Sequence, residues 1–257
     1  MEINLLVLNL GNTRLGIGVF RAGELQQTTQ IPHASRGDWP AAIGEAWKLI
    51  EGQENAAVAA SSVNPPLEEP LVHAVERATG KRVEWVGKDL ELPRAVATEA
   101  PGETGVDRVL NVAAAHEQMQ KACVVVDAGT AITVDCCDDQ GMFLGGAIFP
   151  GVAMMLDALH ERTAKLPRVE FAAPGGAFGK NTTEAIRHGV FHGVRGMVKE
   201  LVENYATELG NWPEIIATGG DAKALFGDWE LIHAISPDLV LYGIALAYTE
   251  HYIKHQS

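Results

Sequence analysis

The chain is poor in cysteine, in basic residues and in long apolar runs. Only three of its 257 residues are cysteine. Their spacing fits neither a disulfide framework nor a zinc motif, so we expect a reducing cytoplasm as its location. The formal net charge is −13, which argues against a nucleic-acid partner because phosphate backbones are bound by clustered cations. No apolar run reaches the length of about 18 residues needed to cross a bilayer, so we expect no membrane association.

What remains is the composition of an ordinary globular protein, with 47% hydrophobic and 21% charged residues. A small anionic substrate stays possible, because a local pocket can be basic on an acidic protein. The first residues, MEINLLVLNLGNT, alternate apolar and polar side chains and have no basic segment before them. This pattern predicts a first β-strand rather than a signal peptide.

A weak internal repeat relates the two halves of the chain. The segment VLNLGNTRLGI begins at Val7, and VVDAGTAITVD begins at Val125. Asn9 and Asp127 correspond at a shift of 118 residues, each two positions before a glycine. A hairpin pattern with a glycine turn and several helical patterns follow each copy. We therefore predict a duplicated α/β fold, with domains at residues 1–117 and 118–257 facing each other across a cleft.

Further patterns support alternating strands and helices. The apolar segments AAVAASS and EIIATGG lie between helical patterns, as is typical of parallel strands buried on both faces. The clearest helix is predicted over residues 182–209. Asn181 is its expected N-cap, Glu184 completes a capping box, and Gly210 ends it.

The two repeat loops have the chemistry of a phosphate site. Glycine lets the backbone approach a ligand closely, and the side chains of Asn12, Thr13 and Thr130 add hydrogen bonds. A strand-end carboxylate can hold a cation that neutralises a phosphoryl group. A third turn, Thr218–Gly220, also suits a nucleotide. The alternative is that these loops are hairpin turns selected for conformation alone.

The segment PGETGVDRVLNVAAA, from Pro101 to Ala115, predicts a chain break followed by a helix. Asp107 lies in its first turn, where an aspartate is ordinarily a cap or a dipole-stabilised carboxylate. The functional alternative makes Asp107 the general base for a substrate hydroxyl and Arg108 the partner of an anionic substrate group.

Taken together, these segments resemble the type III pantothenate kinase family. The likeness runs in order through the following motifs: LGNTRLGIGVF, SSVNPP, PGETGVDR, DAGTAITVD, GGAIFPGVAMMLDALHERTAKLP, GKNTTEAIRHGVFHG, ATGGDA and PDLVLYGI. It implies two actin-like, ribonuclease H-like α/β domains. It also implies transfer of phosphate from ATP to the primary hydroxyl of pantothenate, the first step toward coenzyme A.

The resemblance also implies roles for individual residues. Asp107 would be the catalytic base, and Gly105, Val106, Arg108 and Thr182 would bind pantothenate, Thr182 from the partner subunit of a homodimer. Asp127 would hold the potassium or ammonium ion that the family requires alongside Mg²⁺. ATP would be bound by Asn9, Gly11, Asn12, Thr13, Arg14, Gly16, Thr130, Gly219 and Gly220.

Three positions depart from the family pattern. Asn9 stands where the family has Asp, so the charge offered to Mg²⁺ is lost. Thr98 replaces a Tyr near the substrate, and Tyr242 replaces a Glu without a clear functional meaning. Two alternatives therefore remain open. One is a kinase of another small hydroxy acid, and the other is a catalytically weakened or non-catalytic regulatory protein, like an accessory factor known in this family.

Two further features are interpreted as structural. His188 and His192 have a spacing that can bind zinc, but no third ligand accompanies them in a motif. Cys136 and Cys137 should lie on opposite faces of one strand, which disfavours a shared metal.

Overall fold

A computed structural model describes residues 3–255. Its strands are β1 Leu5–Leu10, β2 Arg14–Arg21, β3 Glu24–Pro32, β4 Ala57–Ser62, β5 Val83–Trp85, β6 Cys123–Ala128, β7 Ala131–Cys137, β8 Phe143–Pro150, β9 Glu214–Thr218 and β10 Ala234–Ile235. Its α-helices are α1 Trp39–Trp47, α2 Glu68–Thr79, α3 Val106–Met119, α4 Val152–Glu161, α5 Thr182–Leu209, α6 Ala222–Phe226 and α7 Leu239–His255.

The chain forms two compact units. The first contains the residues up to Ala95, Glu99–Ala114 and the segment from Asp238 onward; the second contains Val96–Thr98 and Ala115–Pro237. The final helix α7 is thus part of the first unit. The division of the sequence after residue 117 stays a prediction.

The first unit is built on a five-stranded sheet in the order β3-β2-β1-β4-β5. Strands β1, β2 and β3 form an antiparallel meander, whereas β4 and β5 continue the sheet in parallel with β1. Both faces of the sheet are covered, which explains why β1 is almost continuously apolar. Side chains of α1 and α2 pack on one face with Leu6, Leu8 and Leu10. On the other face, side chains of α3 and α7 pack with Leu5 and Val7.

The second unit repeats this topology. Its sheet has the order β10-β9-β6-β7-β8, in which β6, β7 and β8 form the meander and β9 and β10 add in parallel. One face, with Val124, Val126 and Ala128, packs against α5 and α6. Read from the meander outward, the two sheets have the same strand order, and β1 and β6 begin 118 residues apart, at 5 and 123. The predicted duplication of an α/β unit is therefore confirmed.

Local signals in the sequence also agree with the structure. The long helix runs from Thr182 to Leu209 as predicted. Its N-cap Asn181 accepts a hydrogen bond from the Glu184 N–H at 2.9 Å, and Gly210 ends the helix in the left-handed conformation at φ 72°. Both predicted hairpins form, with positive φ at Ala22, Gly23 and Gly141 in their turns. The short strands β5 and β10 have no counterpart in the predictions.

The three cysteines are buried, and none of them forms a disulfide within the described residues. Cys136 joins the core that faces α5, whereas Cys137 points to the opposite face, as the strand alternation predicts. There its sulfur lies 3.2 Å from the sulfur of Cys123 on the neighbouring strand. The hydrogen bond to Cys137, together with burial, raises the pKa of Cys123 well above its ordinary range, so that thiol stays protonated. Within residues 3–255, no helix is long and apolar enough to cross a membrane.

Candidate active site

In the first unit, the candidate site begins at the end of strand β1. Asn9 is the last but one residue of this strand and pairs in register with Gly16 on β2 and Ser61 on β4. Its side-chain Oδ1 accepts a hydrogen bond from the Ser61 hydroxyl at 3.0 Å. A Cβ on Gly16 of β2 would lie 3.7 Å from the Asn9 Cβ, which is an ordinary van der Waals contact. The amide is thereby held at the strand end.

The loop after β1 exposes its side chains and fixes its backbone. Asn12, Thr13 and Arg14 are exposed, whereas Gly16 is buried within β2. The N–H of Gly11 donates to the Arg14 carbonyl at 3.1 Å. The carbonyl of Gly11 accepts from His33 Nε2 at 2.8 Å and from Asn64 Nδ2 at 3.4 Å. The loop thus offers polar side chains from a fixed turn.

Asp107 and Arg108 lie in the first turn of α3, next to Gly105 and Val106. All four residues are half-buried. Asp107 Oδ1 accepts a hydrogen bond from the Arg108 N–H at 2.9 Å. Burial raises the pKa of Asp107 above its ordinary value, while the hydrogen bond and charge of Arg108 oppose that shift. The carboxylate is therefore a better proton acceptor than a solvated aspartate.

Asn9 and Asp107 lie on the same side of the first sheet. Because side chains alternate along a strand, Asn9 shares the face of Leu5 and Val7. Leu110, one turn after Asp107, packs in the cluster that covers this face. Asp107 is thus on the helix that covers the face to which Asn9 points.

In the second unit, Asp127 occupies the position equivalent to Asn9. It is the last but one residue of β6 and pairs in register with Thr133 on β7 and Thr218 on β9. Asp127 is half-buried, and two glycines approach it closely. A Cβ on Gly129 would lie 3.3 Å from its Oδ1, and one on Gly219 would lie 2.5 Å from it. Side chains at both glycine positions are therefore disfavoured beside this carboxylate.

The turns around Asp127 are held together by their backbones. Gly219 has φ 92°, and the next turn is tied to β6 by a hydrogen bond from the Asp221 N–H to the Ala128 carbonyl at 3.0 Å. The N–H of Gly151 donates to the Thr130 carbonyl at 3.2 Å. A Cβ on Gly151 would lie 2.5 Å from the Gly129 carbonyl oxygen. We call the turns at Gly129–Thr130, Gly151 and Gly219–Gly220 the glycine cradle.

Comparison with known proteins shows the family to which the chain belongs. A family model described as type III pantothenate kinase matches residues 5–204. The chain belongs to this family. A relative from Anaeromyxobacter sp. (strain Fw109-5), named type III pantothenate kinase, is 36% identical over 247 residues, which is 94% of this chain and 97% of the relative. One of the same name from Persephonella marina is 33% identical over 253 residues, which is 96% of this chain and 99% of the relative.

Solved structures share the fold at lower sequence identity. One described as a Baf family transcriptional activator, from Campylobacter jejuni, has a TM-score of 0.63 and 22% identity, covering 96% of this chain and 99% of that one. MreB 5 of Spiroplasma citri, solved with AMPPNP, has a TM-score of 0.54 and 12% identity, with full coverage of both chains. The expected class, two actin-like α/β domains, is confirmed by these likenesses together with the two sheets.

The other residues expected from the family pattern are spread over both units. Thr182 is the first residue of α5, and both it and Gly220 are exposed. Thr98 belongs to a short segment that joins the edge of the second sheet, where Ala97 N–H donates to the Phe143 carbonyl at 2.8 Å. Tyr242, in the first unit, packs edge-on against Phe20 with ring centroids 5.4 Å apart.

Membership of a kinase family implies ATP with Mg²⁺, and the glycine cradle consists of backbone turns of the kind that bind phosphate. The absence of side chains at Gly129 and Gly219 leaves the Asp127 carboxylate bordered by backbone turns. Among residues 3–255, no group of three His, Cys, Asp or Glu side chains forms a metal cage. His188 and His192 stack on each other, with ring centroids 5.4 Å apart.

Sequence reasoning missed three polar residues that support the first loop. Ser61 contacts Asn9, and His33 and Asn64 contact the Gly11 carbonyl. Ser61 and Asn64 belong to SSVNPP, a motif whose residues have no role predicted from the sequence. The hydroxyl and amide side chains at the end of a buried strand were the available signal. His33 follows an exposed edge strand and had no comparable signal.

Proposed function

We propose that this chain transfers the γ-phosphoryl group of ATP to the primary hydroxyl of pantothenate, giving 4′-phosphopantothenate in the first step of coenzyme A synthesis. Membership of the type III pantothenate kinase family supports the reaction. The observation that carries it in this chain is the half-buried Asp107. Its pKa is raised by burial, and it lies in the first turn of the helix that covers the Asn9 face of the sheet.

Asp107 is the proton acceptor in this proposal. As the pantothenate hydroxyl oxygen bonds to the γ-phosphorus, its proton passes to the Asp107 carboxylate, and the bond from phosphorus to the bridging oxygen of ADP breaks. A raised pKa favours this step, because the carboxylate then binds a proton more readily than a solvated aspartate does. The Arg108 guanidinium pairs with the pantothenate carboxylate, and the backbone of Gly105 and Val106 borders the same substrate.

The two strand-end turns bind the triphosphate. In the first unit, Asn9, Gly11 and Gly16 shape the turn, while Asn12, Thr13 and Arg14 present exposed polar groups to the phosphates. In the second unit, Thr130, Gly219 and Gly220 of the glycine cradle do the same. Backbone donors in such turns need no reorganisation during phosphoryl transfer.

Two cations belong to the proposal. Mg²⁺ bound to ATP neutralises the charge that develops on the phosphoryl oxygens. Asp127 holds a monovalent cation, potassium or ammonium, beside the glycine cradle. The half-buried position of this carboxylate and the two glycines next to it support that assignment.

A homodimer and a cytoplasmic location complete the proposal. Thr182 is exposed at the start of α5, where it can contact pantothenate bound by a second subunit. The low cysteine content, three residues in 257, supports a reducing compartment.

The test is ADP release from MgATP by the purified chain, with and without pantothenate and with and without potassium. We expect turnover that needs both. Asp107→Asn should lower it by about 10²–10⁴-fold, the usual contribution of a general base. Turnover no faster than in buffer, at any potassium concentration, would exclude the kinase function.

A second candidate is a weakened or non-catalytic member of the family that acts as a regulatory or binding protein. The observation that favours it is Asn9, a neutral amide hydrogen-bonded to Ser61 where the family pattern has a carboxylate. It predicts MgATP binding without turnover and recovery of turnover in Asn9→Asp. A kinase of another small hydroxy acid, suggested by Thr98, predicts ADP release with a panel of hydroxy acids but not with pantothenate.

A further inference from the structure

His33 contacts the Gly11–Arg14 loop at two points. Its backbone N–H donates to the Thr13 carbonyl at 2.9 Å, and its ring Nε2 lies 2.8 Å from the Gly11 carbonyl oxygen. Because a carbonyl oxygen only accepts hydrogen bonds, Nε2 must be the protonated nitrogen of the ring. One residue thus contacts the loop on both sides of Asn12.

The ring itself is fixed by the core of the first unit. It packs edge-on against the indole of Trp39, with ring centroids 5.7 Å apart. Trp39, the first residue of α1, is only 1% exposed and belongs to the buried cluster that α1 and α2 form with the first sheet. Asn64 follows β4, which lies on the other side of β1 from β2 and β3. Its side chain adds a longer hydrogen bond of 3.4 Å to the same Gly11 carbonyl. The direction of that carbonyl is therefore set by two side chains from separate parts of the chain.

A fixed carbonyl also fixes the next amide. In a trans peptide, the C=O of one residue and the N–H of the next point in opposite directions within one plane. Since the Gly11 carbonyl points toward His33 and Asn64, the N–H of Asn12 points away from them. Within residues 3–255, this N–H has no hydrogen-bond partner, and Asn12 is exposed.

We propose that His33 is a positioning residue for ATP: by holding the Gly11 carbonyl, it aims the Asn12 N–H at a phosphate oxygen. This inference rests on the proposed function, because it takes the Gly11–Arg14 loop as the phosphate loop. It adds a residue that does not itself touch the nucleotide. The effect of His33 is therefore confined to ATP and does not extend to pantothenate.

Three variants of the full-length chain test this role. His33→Phe keeps a ring against Trp39 but removes the donor. His33→Gln restores an N–H donor at about the reach of Nε2. His73→Phe, at an exposed position on α2, makes the same exchange away from the loop. The KM for ATP, the KM for pantothenate and the kcat are measured for each, together with the thermal midpoint and the Kd of MgATP by titration calorimetry.

We expect His33→Phe to raise the KM and Kd for ATP about tenfold, the effect of one lost hydrogen bond to a positioned group. The KM for pantothenate should change less than about twofold, and His33→Gln should recover most of the ATP affinity. His73→Phe should match the native chain. An unchanged ATP affinity in His33→Phe, or a defect in His33→Gln as large as that in His33→Phe, would overturn the proposal.

The calorimetric Kd separates this proposal from the proposed function. If the native chain binds MgATP but does not turn over pantothenate, the kinase function fails while the effect of His33→Phe on the Kd still decides the role of His33. If the native chain does not bind MgATP at all, the positioning role fails as well. A lower thermal midpoint with an unchanged Kd would show that His33 serves the fold alone.

Discussion

Replacing Gly219 by alanine should weaken both the fold and ATP binding. The backbone at Gly219 has φ 92°, and a methyl group there would lie 2.5 Å from the Ala128 carbonyl oxygen and 2.5 Å from Asp127 Oδ1. The positive φ costs an alanine about 1–2 kcal/mol. Displacing the Ala128 carbonyl also strains its hydrogen bond with the Asp221 N–H, which contributes about 1 kcal/mol. The free energy of unfolding should therefore fall by about 2–3 kcal/mol.

Gly80→Ala is the matched control. Gly80 ends α2 with φ 66°, and no atom lies within 4 Å of the position of its missing Cβ. It therefore incurs the backbone cost without the collision. Urea unfolding gives the two free energies, and the KM for ATP reports on the glycine cradle. We expect Gly219→Ala to be the less stable variant by about 1 kcal/mol and to raise the KM for ATP about tenfold. Equal stabilities with an unchanged KM would refute the steric reasoning.

Three other substitutions probe the charges of the site. Burial raises the pKa of Asp107 above its ordinary value of 3.8. The carboxyl group therefore contributes most to stability below pH 3.8, and this contribution is lost as the pH rises through the raised pKa. Asp107→Asn should therefore melt above the native protein at pH 7, with a difference that closes below about pH 4, although its turnover is lost. Asn9→Asp should raise kcat about tenfold or more at saturating MgATP, because a carboxylate replaces an amide next to the Mg²⁺-bound phosphates; an unchanged kcat in steady-state assays would show that the amide suffices. Asp127→Asn should abolish the stimulation of turnover by potassium in a salt titration, and a retained response would place the cation elsewhere.

The parts of the fold that could be predicted carry local signals. The helix α5 could be bounded to the residue, because Asn181 caps its start and Gly210 adopts the left-handed conformation at its end. The duplication could be predicted because both copies place a polar residue and then a glycine after a buried strand. By contrast, β5 has three residues and β10 has two, which is too short for a periodic pattern.

The candidate site was predictable only in part, because its electrostatics depend on tertiary contacts. The position of Asp107 in the first turn of a helix could be predicted from the sequence. Its hydrogen bond from the Arg108 N–H joins two neighbouring residues, and such local contacts are expected of an aspartate at a helix start. The raised pKa comes from burial, which no short-range pattern reveals. The contact from His33 to Gly11 spans 22 residues and depends on how β3 pairs with β2. The residues assigned to ATP, pantothenate and the cation stay predictions until they are tested.

The glycine cradle has a consequence for how the protein tolerates mutation. A wall made of main-chain groups has the same N–H and C=O groups whichever side chains are attached, so most substitutions of the exposed residues in it should leave its shape intact. Gly151 and Gly219 are different, because any side chain there would collide with the Gly129–Thr130 turn or with Ala128. In a saturation mutagenesis experiment selected for growth, the intolerance that comes from the shape of the cradle should therefore concentrate at Gly151 and Gly219.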